Sequence, residues 1–324
     1  FRSSTADYGW VSGGISSWPG GTEYSTVSRM DFSNDTVDLV VKGPLTTYQT
    51  GKTAAGNSVY GHIISGTNNF AMGQKIDYSN DGAVQGNLAV DARSQGAERG
   101  FQVHNTSGPQ RGYPRASYAY IQGGKHGGTP NQYGGTQGSK FNIESGTATV
   151  VGTRSTYTLT NQTYTQVAGT GNEDYSWWTA GTSPTTSTID RMDYSNDNAA
   201  TISRSTIGHS PVKRDIQATG NINYGWYMAG SDGTTEFSDV ERLDYSNDTA
   251  QASPKGALLA PRANGAAAGN QSYGYFAGGW DISPAVYYSN IYRIDYSNDT
   301  PTATLKGPLG LARWGVGAAS NSTT

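Results

Sequence analysis

Cysteine is absent from this chain of 324 residues, and several other features that mark common functions are scarce. Without cysteine there are no disulfides, no cysteine-ligated metal sites and no cysteine nucleophiles. Charged residues make up only 15% and the formal net charge is −3, with no basic run, so we expect no nucleic acid partner. No apolar run approaches the roughly 20 residues that span a bilayer, so we expect no membrane insertion.

Glycine and small polar residues are abundant instead. The chain has 44 glycines and 22 tyrosines, whereas hydrophobic residues make up only 34%. This composition is typical of all-β structure with many short turns. Neither a coiled coil nor a helical solenoid has such a composition.

One phrase, Asp-Tyr-Ser-Asn-Asp, recurs along the chain, with Phe in place of Tyr in its first copy. The last three copies start 51 residues apart (244 − 193 and 295 − 244), and the first two start 46 apart (77 − 31). The remaining gap of 116 residues (193 − 77) leaves room for a degraded copy, in which Asn142 and Gly146 take the two Asp positions. We therefore count six tandem repeats. The intact copies occupy residues 31–35, 77–81, 193–197, 244–248 and 295–299.

Each repeat has the pattern of four short antiparallel strands. In the last repeat, residues 273–279 and 290–296 alternate in character, the Ser-Asn-Asp turn follows, and residues 301–305 and 311–319 complete the unit. Six such units of about 50 residues predict an all-β, six-bladed β-propeller with four-stranded antiparallel blades. Residues 313–321 match the segment that precedes the first of these strands elsewhere. We therefore expect the N- and C-terminal strands to close the ring within one blade.

The repeat runs from end to end, which favours one domain over residues 1–324. Because the chain begins with Phe1, we expect it to be part of a longer polypeptide. The approximate repeats are 8–58, 59–116, 117–173, 174–221, 222–270 and 271–321.

Three further patterns recur with drift: a double glycine such as Gly278-Gly279, a strand such as residues 291–296 with the pattern aliphatic-x-Arg-hydrophobic-Asp-Tyr, and a Gly-Pro-Leu-x-x-x-Arg stretch such as residues 307–313. Together they resemble the kelch repeat over the whole chain, although the Trp typical of kelch strands is not found after the Asn-Asp turn. The phrase Asp-Tyr-Ser-Asn-Asp-Thr is also similar to repeats in virion proteins of tailed marine phages, cyanophages especially. That resemblance implies a structural or host-facing role in a tail, fibre or surface appendage.

A basic residue and an aspartate lie two positions apart in five repeats, and therefore on one face of a strand. Because propeller blades pack face to face, such charges should be partly buried and paired. We predict a ring of inter-blade ion pairs and hydrogen bonds, with a charged binding track as the alternative. The residues are Arg29, Asp31, Lys75, Asp77, Arg191, Asp193, Arg242, Asp244, Arg293 and Asp295.

Asp77, Ser79 and Asp81 resemble the opening of a calcium loop, which uses oxygen ligands at positions 1, 3 and 5. The Glu expected at position 12 is replaced by Leu88. An Asx turn explains the same residues without metal, so we predict no metal site and keep calcium as the alternative. Position 12 of the other copies is basic, at Lys42, Arg204, Lys255 and Lys306. The four histidines share no spacing that would predict zinc; they are His62, His104, His126 and His209.

No catalytic motif is present in the sequence. It has neither a Gly-x-Ser-x-Gly nucleophile elbow nor a phosphate-binding glycine loop. The acidic residues that break the repeat are scattered, whereas propeller glycosidases and sialidases need paired carboxylates or an arginine cluster. Kelch-type copper oxidases of the galactose oxidase kind need a Tyr crosslinked to Cys, which this chain lacks. We therefore predict that the protein is not an enzyme and has no catalytic residue and no cofactor.

The loops after the double glycines vary most and should share one face of the disc with the Gly-Pro-Leu turns. Aromatic rings among Ser, Thr, Asn and Gly suit sugars or a protein surface. An alternative for Trp18 and Trp280 is that they cap the gaps between blades. Residues 106–115 form an insertion on the opposite face, which we interpret as an arm that docks to a neighbouring subunit. The ligand-binding candidates are Trp18, Tyr24, Tyr133, Phe237, Trp280, Tyr287 and Tyr288.

These observations favour a non-catalytic structural or binding propeller of a virion or extracellular appendage that recognises host-surface glycan or protein. Its expected partners are other virion or appendage subunits in a symmetric oligomer, and its expected location is the virion, the extracellular space or the cell surface. The alternative is a secreted, lectin-like propeller, and a further one is a glycan-active enzyme. Regularity favours the first two, because enzymes concentrate irregularity around one pocket.

Overall fold

The structure is a computed structural model that contains a β-propeller of four-stranded antiparallel blades. No helix of the described residues is long and apolar enough to cross a membrane. The described residues are 8–17, 20–46, 53–57, 59–64, 72–81, 84–89, 102–105, 118–122, 137–143, 145, 148–153, 168–179, 187–283 and 285–320.

The first half of the chain contributes three sheets, numbered here in chain order. Sheet 1 contains β1 (Tyr8–Ser12), β2 (Val27–Asp31) and β3 (Val40–Val41). Sheet 2 contains β4 (Thr53–Gly56), β5 (Tyr60–Ile64), β6 (Met72–Asp77) and β7 (Val84–Ala89). Sheet 3 contains β8 (Gln102–Asn105), β9 (Tyr118–Gln122), β10 (Gln137–Asn142) and β11 (Ala148–Thr153).

The second half contributes three more sheets and a small ribbon. Sheet 4 contains β12 (Gly169–Gly171), β13 (Tyr175–Thr179), β14 (Thr188–Asp193) and β15 (Ile202–Thr206). Sheet 5 contains β16 (Gln217–Gly220), β17 (Tyr224–Met228), β18 (Val240–Asp244) and β19 (Ser253–Lys255). Sheet 6 contains β20 (Ala266–Gly269), β21 (Tyr273–Ala277), β24 (Ile291–Asp295) and β25 (Thr304–Lys306), and its loop carries the ribbon of β22 (Trp280–Asp281) and β23 (Val286–Tyr287).

The last strand, β26 (Gly317–Ser320), closes the ring. It pairs antiparallel with β1, with Ser320 opposite Gly9, and so becomes the innermost strand of sheet 1. The innermost strands β4, β8, β12, β16, β20 and β26 contact one another in that cyclic order. The predicted four-stranded antiparallel blades and the closure by the two terminal strands are therefore confirmed.

The hydrophobic core lies between neighbouring sheets. Trp226, Met228 and Val240 of sheet 5, for example, pack with Phe276 and Ile294 of sheet 6, and all five are buried. Alternation along each strand places these apolar residues on the faces that meet a neighbour. The packing is therefore repeated at successive sheets rather than concentrated in one centre.

The glycine in each Tyr-Gly strand makes room for the aromatic residue of the phrase in its own repeat. A Cβ atom built on Gly274 would lie 2.7 Å from Cγ2 of Thr219 and 2.7 Å from the hydroxyl of Tyr296. Both contacts are far too short for a real side chain, so these strands must alternate aromatic residues with glycine. The Tyr296 hydroxyl uses this space to donate a 3.1 Å hydrogen bond to Thr219.

Candidate functional site

A basic residue of the third strand joins one sheet to the next at five of the six contacts between neighbouring sheets. The side chain of each basic residue contacts the second aspartate of the phrase in the following sheet. In four of the pairs the nitrogen–oxygen distance is 2.8–3.0 Å. A charged pair between two packed faces holds them in register, provided that its hydrogen bonds are satisfied. The pairs are Arg29–Asp81, Lys140–Asp197 (2.8 Å), Arg191–Asp248 (3.0 Å), Arg242–Asp299 (3.0 Å) and Arg293–Asp35 (2.8 Å).

The first aspartate of the phrase, which we predicted to join the blades, has a different role. Asp31 Oδ1 accepts hydrogen bonds from the backbone N–H (2.9 Å) and the hydroxyl (2.6 Å) of Ser33, at the exposed start of a tight turn. The strand ends at this residue, so its carboxylate folds back onto its own turn instead of reaching the neighbouring sheet. The prediction was therefore wrong for all five of these carboxylates, which are Asp31, Asp77, Asp193, Asp244 and Asp295.

Further donors converge on the second aspartate at these seams, the places where two neighbouring sheets meet: two donors at Asp35, Asp248 and Asp299, and one at Asp81 and Asp197. At the seam between sheets 5 and 6, Asp299 accepts a 2.9 Å bond from Nε1 of Trp226, and Nζ of Lys255 lies 3.5 Å away. The second cation is the basic residue at position 12, counted from the first Asp of the phrase. The pairs are Lys42–Asp81, Arg204–Asp248, Lys255–Asp299 and Lys306–Asp35. The aromatic donors are Tyr120, Trp177, Trp226 and Tyr275.

These donors, and Trp10 at the equivalent position of sheet 1, also stack on the aromatic residue of the phrase in the next sheet. Trp226 and Tyr296 are nearly parallel, with ring centroids 3.9 Å apart. Such a pair buries a large apolar area and adds a geometric preference. The stacked pairs are Trp10–Tyr78, Tyr120–Tyr194, Trp177–Tyr245, Trp226–Tyr296 and Tyr275–Phe32.

The surroundings of Asp248 at its seam set the pKa of its carboxyl group. Burial, the largest single effect, favours protonation, but hydrogen bonds from Arg204 and Trp177 and the charges of Arg191 and Arg204 outweigh it. Together they hold the pKa of Asp248 below its usual value. The seam carboxylate therefore stays ionised at neutral pH.

The seam between sheets 2 and 3 differs from the other five. His62 takes the place of the stacking Trp or Tyr, and its Nε2 donates to the carbonyl of Ile143 (2.6 Å), which stands at the phrase's Tyr position. The phrase's second Asp is replaced by Gly146 in the sequence. The ammonium of Lys75 lies 3.4 Å from the ring centroid of Tyr60. The repeat has thus changed on both sides of this seam, at His62 in a strand of sheet 2 and in the phrase of sheet 3.

The calcium alternative is not supported by the roles of its residues. Asp77 accepts both hydrogen bonds of Ser79, whereas Asp81 turns away to Arg29 and Lys42 of sheet 1. An ion would have to displace two cations to reach both carboxylates. Among the described residues no group of three or more His, Asp or Glu is placed to hold a metal ion.

The double-glycine loops and the connections from one sheet to the next lie on one face of the propeller, which we call the loop face. Its loops and connections interact in the same way at sheets 5, 6 and 1. On each of these sheets a connection residue pairs with the loop residue after the double glycine, which pairs in turn with a later loop residue. These small β-bridges tie each loop to the neighbouring connection, so this part of the face is preformed. The three sets are Arg214, Ser231 and Glu236; Ala263, Trp280 and Tyr287; and Trp314, Ile15 and Glu23.

Arg262, the Arg of a Gly-Pro-Leu-like connection, is fully buried below this face. It donates to the carbonyl of Gly278 (3.0 Å) and the hydroxyl of Tyr292 (2.7 Å). The ring of Tyr288 covers its guanidinium at 3.9 Å. Burial lowers the pKa of Arg262 to about 10, so it remains charged at neutral pH.

Arg313 holds the next loop in a similar way. Its guanidinium donates to the carbonyls of Gly13 (3.1 Å) and Thr26 (3.3 Å), at the two ends of the β1–β2 loop, and to the hydroxyl of Ser28 (3.0 Å). Burial lowers the pKa of Arg313 to about 10 as well. One buried cation therefore fixes both ends of an exposed loop.

Lys213 takes the corresponding position between sheets 4 and 5, with acidic partners. Its ammonium contacts Asp239 and lies 3.6 Å from Glu241, which also accepts a bond from the N–H of Gly208 (2.5 Å). Burial raises the pKa of Glu241, although the charge of Lys213 opposes this shift. His209 is 3.8 Å from Asp239. This charged cluster again joins a connection to a loop.

Trp280, a ligand-binding candidate, stacks within the loop face. Its ring centroid lies 5.3 Å from that of Trp314 and 6.1 Å from that of Tyr287, with interplanar angles of 25° and 16°. Trp314 belongs to the connection between sheets 6 and 1. Trp280 therefore stacks on the connection between sheets 6 and 1, and its partner Tyr287 continues the stack.

The other aromatic candidates support separate loops. Tyr24, Phe237 and Tyr288 occupy equivalent positions, because each backbone N–H donates to the carbonyl of the second residue of the loop's glycine pair (Gly14, Gly230 and Gly279) at 2.8–2.9 Å. Tyr288 covers Arg262, and Phe237 packs against His209 at 4.3 Å. The structure therefore distributes these candidates along the face. Trp18, Tyr133 and residues 106–115 lie outside the described residues.

The ribbon of β22 and β23 presents two exposed large apolar side chains. Ile282 is 42% exposed and Val286 is 38% exposed. The N–H of Ile282 donates to Glu236 (3.2 Å) of the neighbouring loop. Burial is the main reason that the pKa of Glu236 is raised, and the nearby charge of Asp281 raises it further. The ribbon is thus fixed to sheet 5 as well as to sheet 1.

Comparison with known proteins gives a likeness at the level of the fold. No protein-family model matches this chain, and no curated protein matches it. The solved structure of YjhT is similar, with a TM-score of 0.67 and 12% sequence identity over 94% of this chain and 98% of that one. At this identity the likeness shows the β-propeller fold alone.

Proposed function

We propose that this chain is a six-bladed, kelch-like propeller that acts as a non-catalytic structural and binding component of a virion or extracellular appendage. In this proposal it assembles with other subunits and contacts host-surface glycan or protein through its loop face. The repeated phrase, with its similarity to phage virion repeats, motivates the setting. The ribbon of sheet 6 motivates the contact.

The ribbon is the observation that carries the binding part of the proposal. It is held from two sides, by Glu236 on the sheet 5 loop and by the stack of Trp280 on Trp314. Its apolar side chains Ile282 and Val286 nevertheless face solvent. A fixed apolar edge suits a binding surface, because little conformational entropy is lost when a partner covers it.

Two measurements test the proposal. Electron microscopy of the native source should show the propeller on a particle or appendage, and a glycan array together with host-cell binding should reveal its surface ligand. Ile282→Ser with Val286→Ser should weaken that binding about tenfold or more, because two buried apolar contacts are lost. Leu259→Ser, an exposed leucine on the neighbouring connection, is the matched control.

The competing classes give other results. Glycan binding by a free monomer with no particle association would identify a secreted lectin-like propeller. Release of reducing sugar from bacterial or marine polysaccharide would identify a glycan-active enzyme. Either result, or binding that the ribbon variant leaves unchanged, contradicts the proposal as stated.

A further inference from the structure

The two faces of the sheet 6 ribbon differ in what they contact. Trp280 lies opposite Tyr287 and Asp281 lies opposite Val286, so each pair shares one face of the ribbon. The face of Trp280 stacks on Trp314 of the connection to sheet 1. On the other face Asp281 is half-buried and Val286 is 38% exposed. The outward face of the ribbon therefore presents a carboxylate beside a branched apolar side chain.

A second carboxylate lies at the same place. Oε2 of Glu236 accepts the 3.2 Å bond from the N–H of Ile282, the residue after Asp281, and the side chain of Ile282 is exposed. Burial raises the pKa of Glu236, and the charge of Asp281 raises it further, so the two carboxylates are close enough to repel each other. We call Glu236, Asp281, Ile282 and Val286 the ribbon edge.

The two acids of the ribbon edge have no cationic partner in the part of the chain that the structure describes. Neither Glu236 nor Asp281 has a basic nitrogen within 4 Å there. The seam aspartates Asp35 and Asp299 are buried to the same extent as Glu236, yet each contacts two cations. A buried carboxylate without a cation is unusual, because burial penalises its charge.

The cations of the neighbouring connections are engaged elsewhere. Arg262 is fully buried and donates its hydrogen bonds to groups of sheet 6, although its charge also acts on Asp281. Arg214 lies 3.9 Å from Asp215, and its charge acts on Asp232. The ribbon edge thus combines exposed apolar surface with negative charge that no ion pair of the described chain neutralises.

We propose that the ribbon edge docks a protein segment in which a lysine or arginine is flanked by apolar side chains. The inference rests on the proposed function and names the partner class for its ribbon. The cation of such a segment pairs with Glu236 and Asp281, while its apolar neighbours and the stem of the basic residue cover Ile282 and Val286. Both the charge and the apolar surface of the ribbon edge are then matched by one partner.

The other occupants of this surface fit its chemistry less well. Sugars pack on aromatic rings, whereas Trp280 and Tyr287 are stacked with each other and the exposed side chains are aliphatic. A second copy docked through the same edge across a two-fold axis would bring like carboxylates together. Anionic lipid headgroups would meet the same repulsion.

Selection from a displayed library of random peptides, with the purified chain as target, tests the inference directly. The enriched peptides should carry Lys or Arg next to apolar residues. Glu236→Gln with Asp281→Asn should weaken the binding of these peptides, made synthetically, about tenfold or more, because the cation loses both of its charged partners. Fluorescence anisotropy measures the binding. Added salt should weaken binding to the unmodified chain more than binding to this variant.

The charge variant keeps the ribbon in place. The amides of the new residues can still accept the bonds from the N–H groups of Ile282 and Ser283, so the melting temperature should not fall. Asp38→Asn with Asp174→Asn is the matched control, because it removes two exposed negative charges outside the ribbon edge and should leave peptide binding unchanged. Ile282→Ser with Val286→Ser should weaken peptide binding as the charge variant does.

Several results would overturn the inference. They are a selection that enriches no peptide, enriched peptides without a basic residue, and peptide binding that the charge variant leaves unchanged. A glycan, or a second copy detected by sedimentation velocity, whose binding is lost in the ribbon variants would also overturn it.

Failure of this inference can be distinguished from failure of the proposed function. Basic peptides bound at the ribbon edge of a protein that associates with no particle or appendage would support the inference and contradict the proposed function. A host glycan bound through the ribbon of a protein found on a particle would support the proposed function and contradict the inference.

Discussion

Nη1 of Arg293 lies 2.8 Å from Oδ2 of Asp35, a residue 258 positions earlier in the chain. This contact joins sheet 6 to sheet 1, where the ring closes. The same carboxylate accepts a 2.8 Å bond from the hydroxyl of Tyr275, and Nζ of Lys306 lies 3.1 Å away. One buried aspartate therefore organises the closing seam, alongside the strand pairing of β26 with β1.

Replacing Asp35 by alanine should destabilise the fold by about 2 to 4 kcal/mol, because two cations and a buried tyrosine hydroxyl lose their shared acceptor. Asp38→Ala is the matched control, since this aspartate is exposed three positions later. Urea unfolding at neutral pH measures both. Equal stability of the two variants would mean that the seam pair contributes nothing net.

Trp226 allows the stack and the hydrogen bond at one seam to be separated. Trp226→Phe keeps an aromatic ring against Tyr296 but removes the 2.9 Å bond to Asp299, and should cost about 1 to 2 kcal/mol. Trp226→Ala removes the ring as well and should cost about 3 to 5 kcal/mol. Thermal and urea unfolding of both variants give the comparison. If the two costs were the same, the stacked ring would not stabilise this seam.

The architecture could be predicted from the sequence because a tandem repeat copies its strand pattern, and four strands per unit of this length fit few folds. The acidic partner of each basic residue at a seam could not be predicted from the sequence. Asp31 and Arg29 share a face of one strand, yet the strand ends at Asp31, so only the geometry of the turn reveals that Asp81 of the next sheet is the acceptor. The basic residues at position 12, counted from the first Asp of the phrase, were recognised in the sequence. Their role as second cations at the seams depends on a contact between repeats, which the sequence does not show.

The loop face was less predictable, for the same physical reason. The Arg of the Gly-Pro-Leu-x-x-x-Arg stretch was recognised as part of a repeat, but its burial beneath Tyr288 or against Ser28 arises only when neighbouring sheets meet. Likewise, the contact of Trp280 with Trp314 joins residues of a loop and of the following connection, and no pattern within one repeat predicts it. A single-chain pattern shows which residues recur, and not which residues face each other across a seam.

Arg313→Met should loosen the β1–β2 loop without unfolding the propeller. The substitution keeps much of the buried volume but removes the donor to the Gly13 carbonyl and one of the two donors to the Thr26 carbonyl, which keeps its bond from the N–H of Gly13. Hydrogen exchange should rise in residues 13–26, whereas residues 229–239 of sheet 5, which Arg313 does not contact, should exchange as before. Leu311→Met, on the exposed part of the same connection, is the control. A uniform rise over both loops would show that the arginine stabilises the whole ring instead.

The seam between sheets 2 and 3 should make stability depend on pH in a range where carboxylate seams do not. Burial lowers the pKa of His62 to about 4, with a smaller contribution from the charge of Lys75, although the bond to the Ile143 carbonyl opposes the shift. In the unfolded chain the same imidazole has a pKa of about 6.5. Between these values the unfolded state binds a proton that the folded state does not, so stability falls as pH falls.

His62→Gln removes this titration and retains an N–H donor that can reach the Ile143 carbonyl. Between pH 7 and pH 4.5 the unmodified chain should lose about 2.5 kcal/mol more of its unfolding free energy than this variant, given the two pKa values. Urea unfolding at several pH values in this range measures the difference.

Asp248 should affect the pH dependence of stability only at lower pH. Its pKa in the folded protein lies below the ordinary value, and the stability that its ion pairs provide is lost as pH falls through that pKa. Parallel curves for the variant and the unmodified chain above pH 4.5 would show that His62 takes up its proton as readily in the folded state as in the unfolded chain, and that the altered seam is open to water.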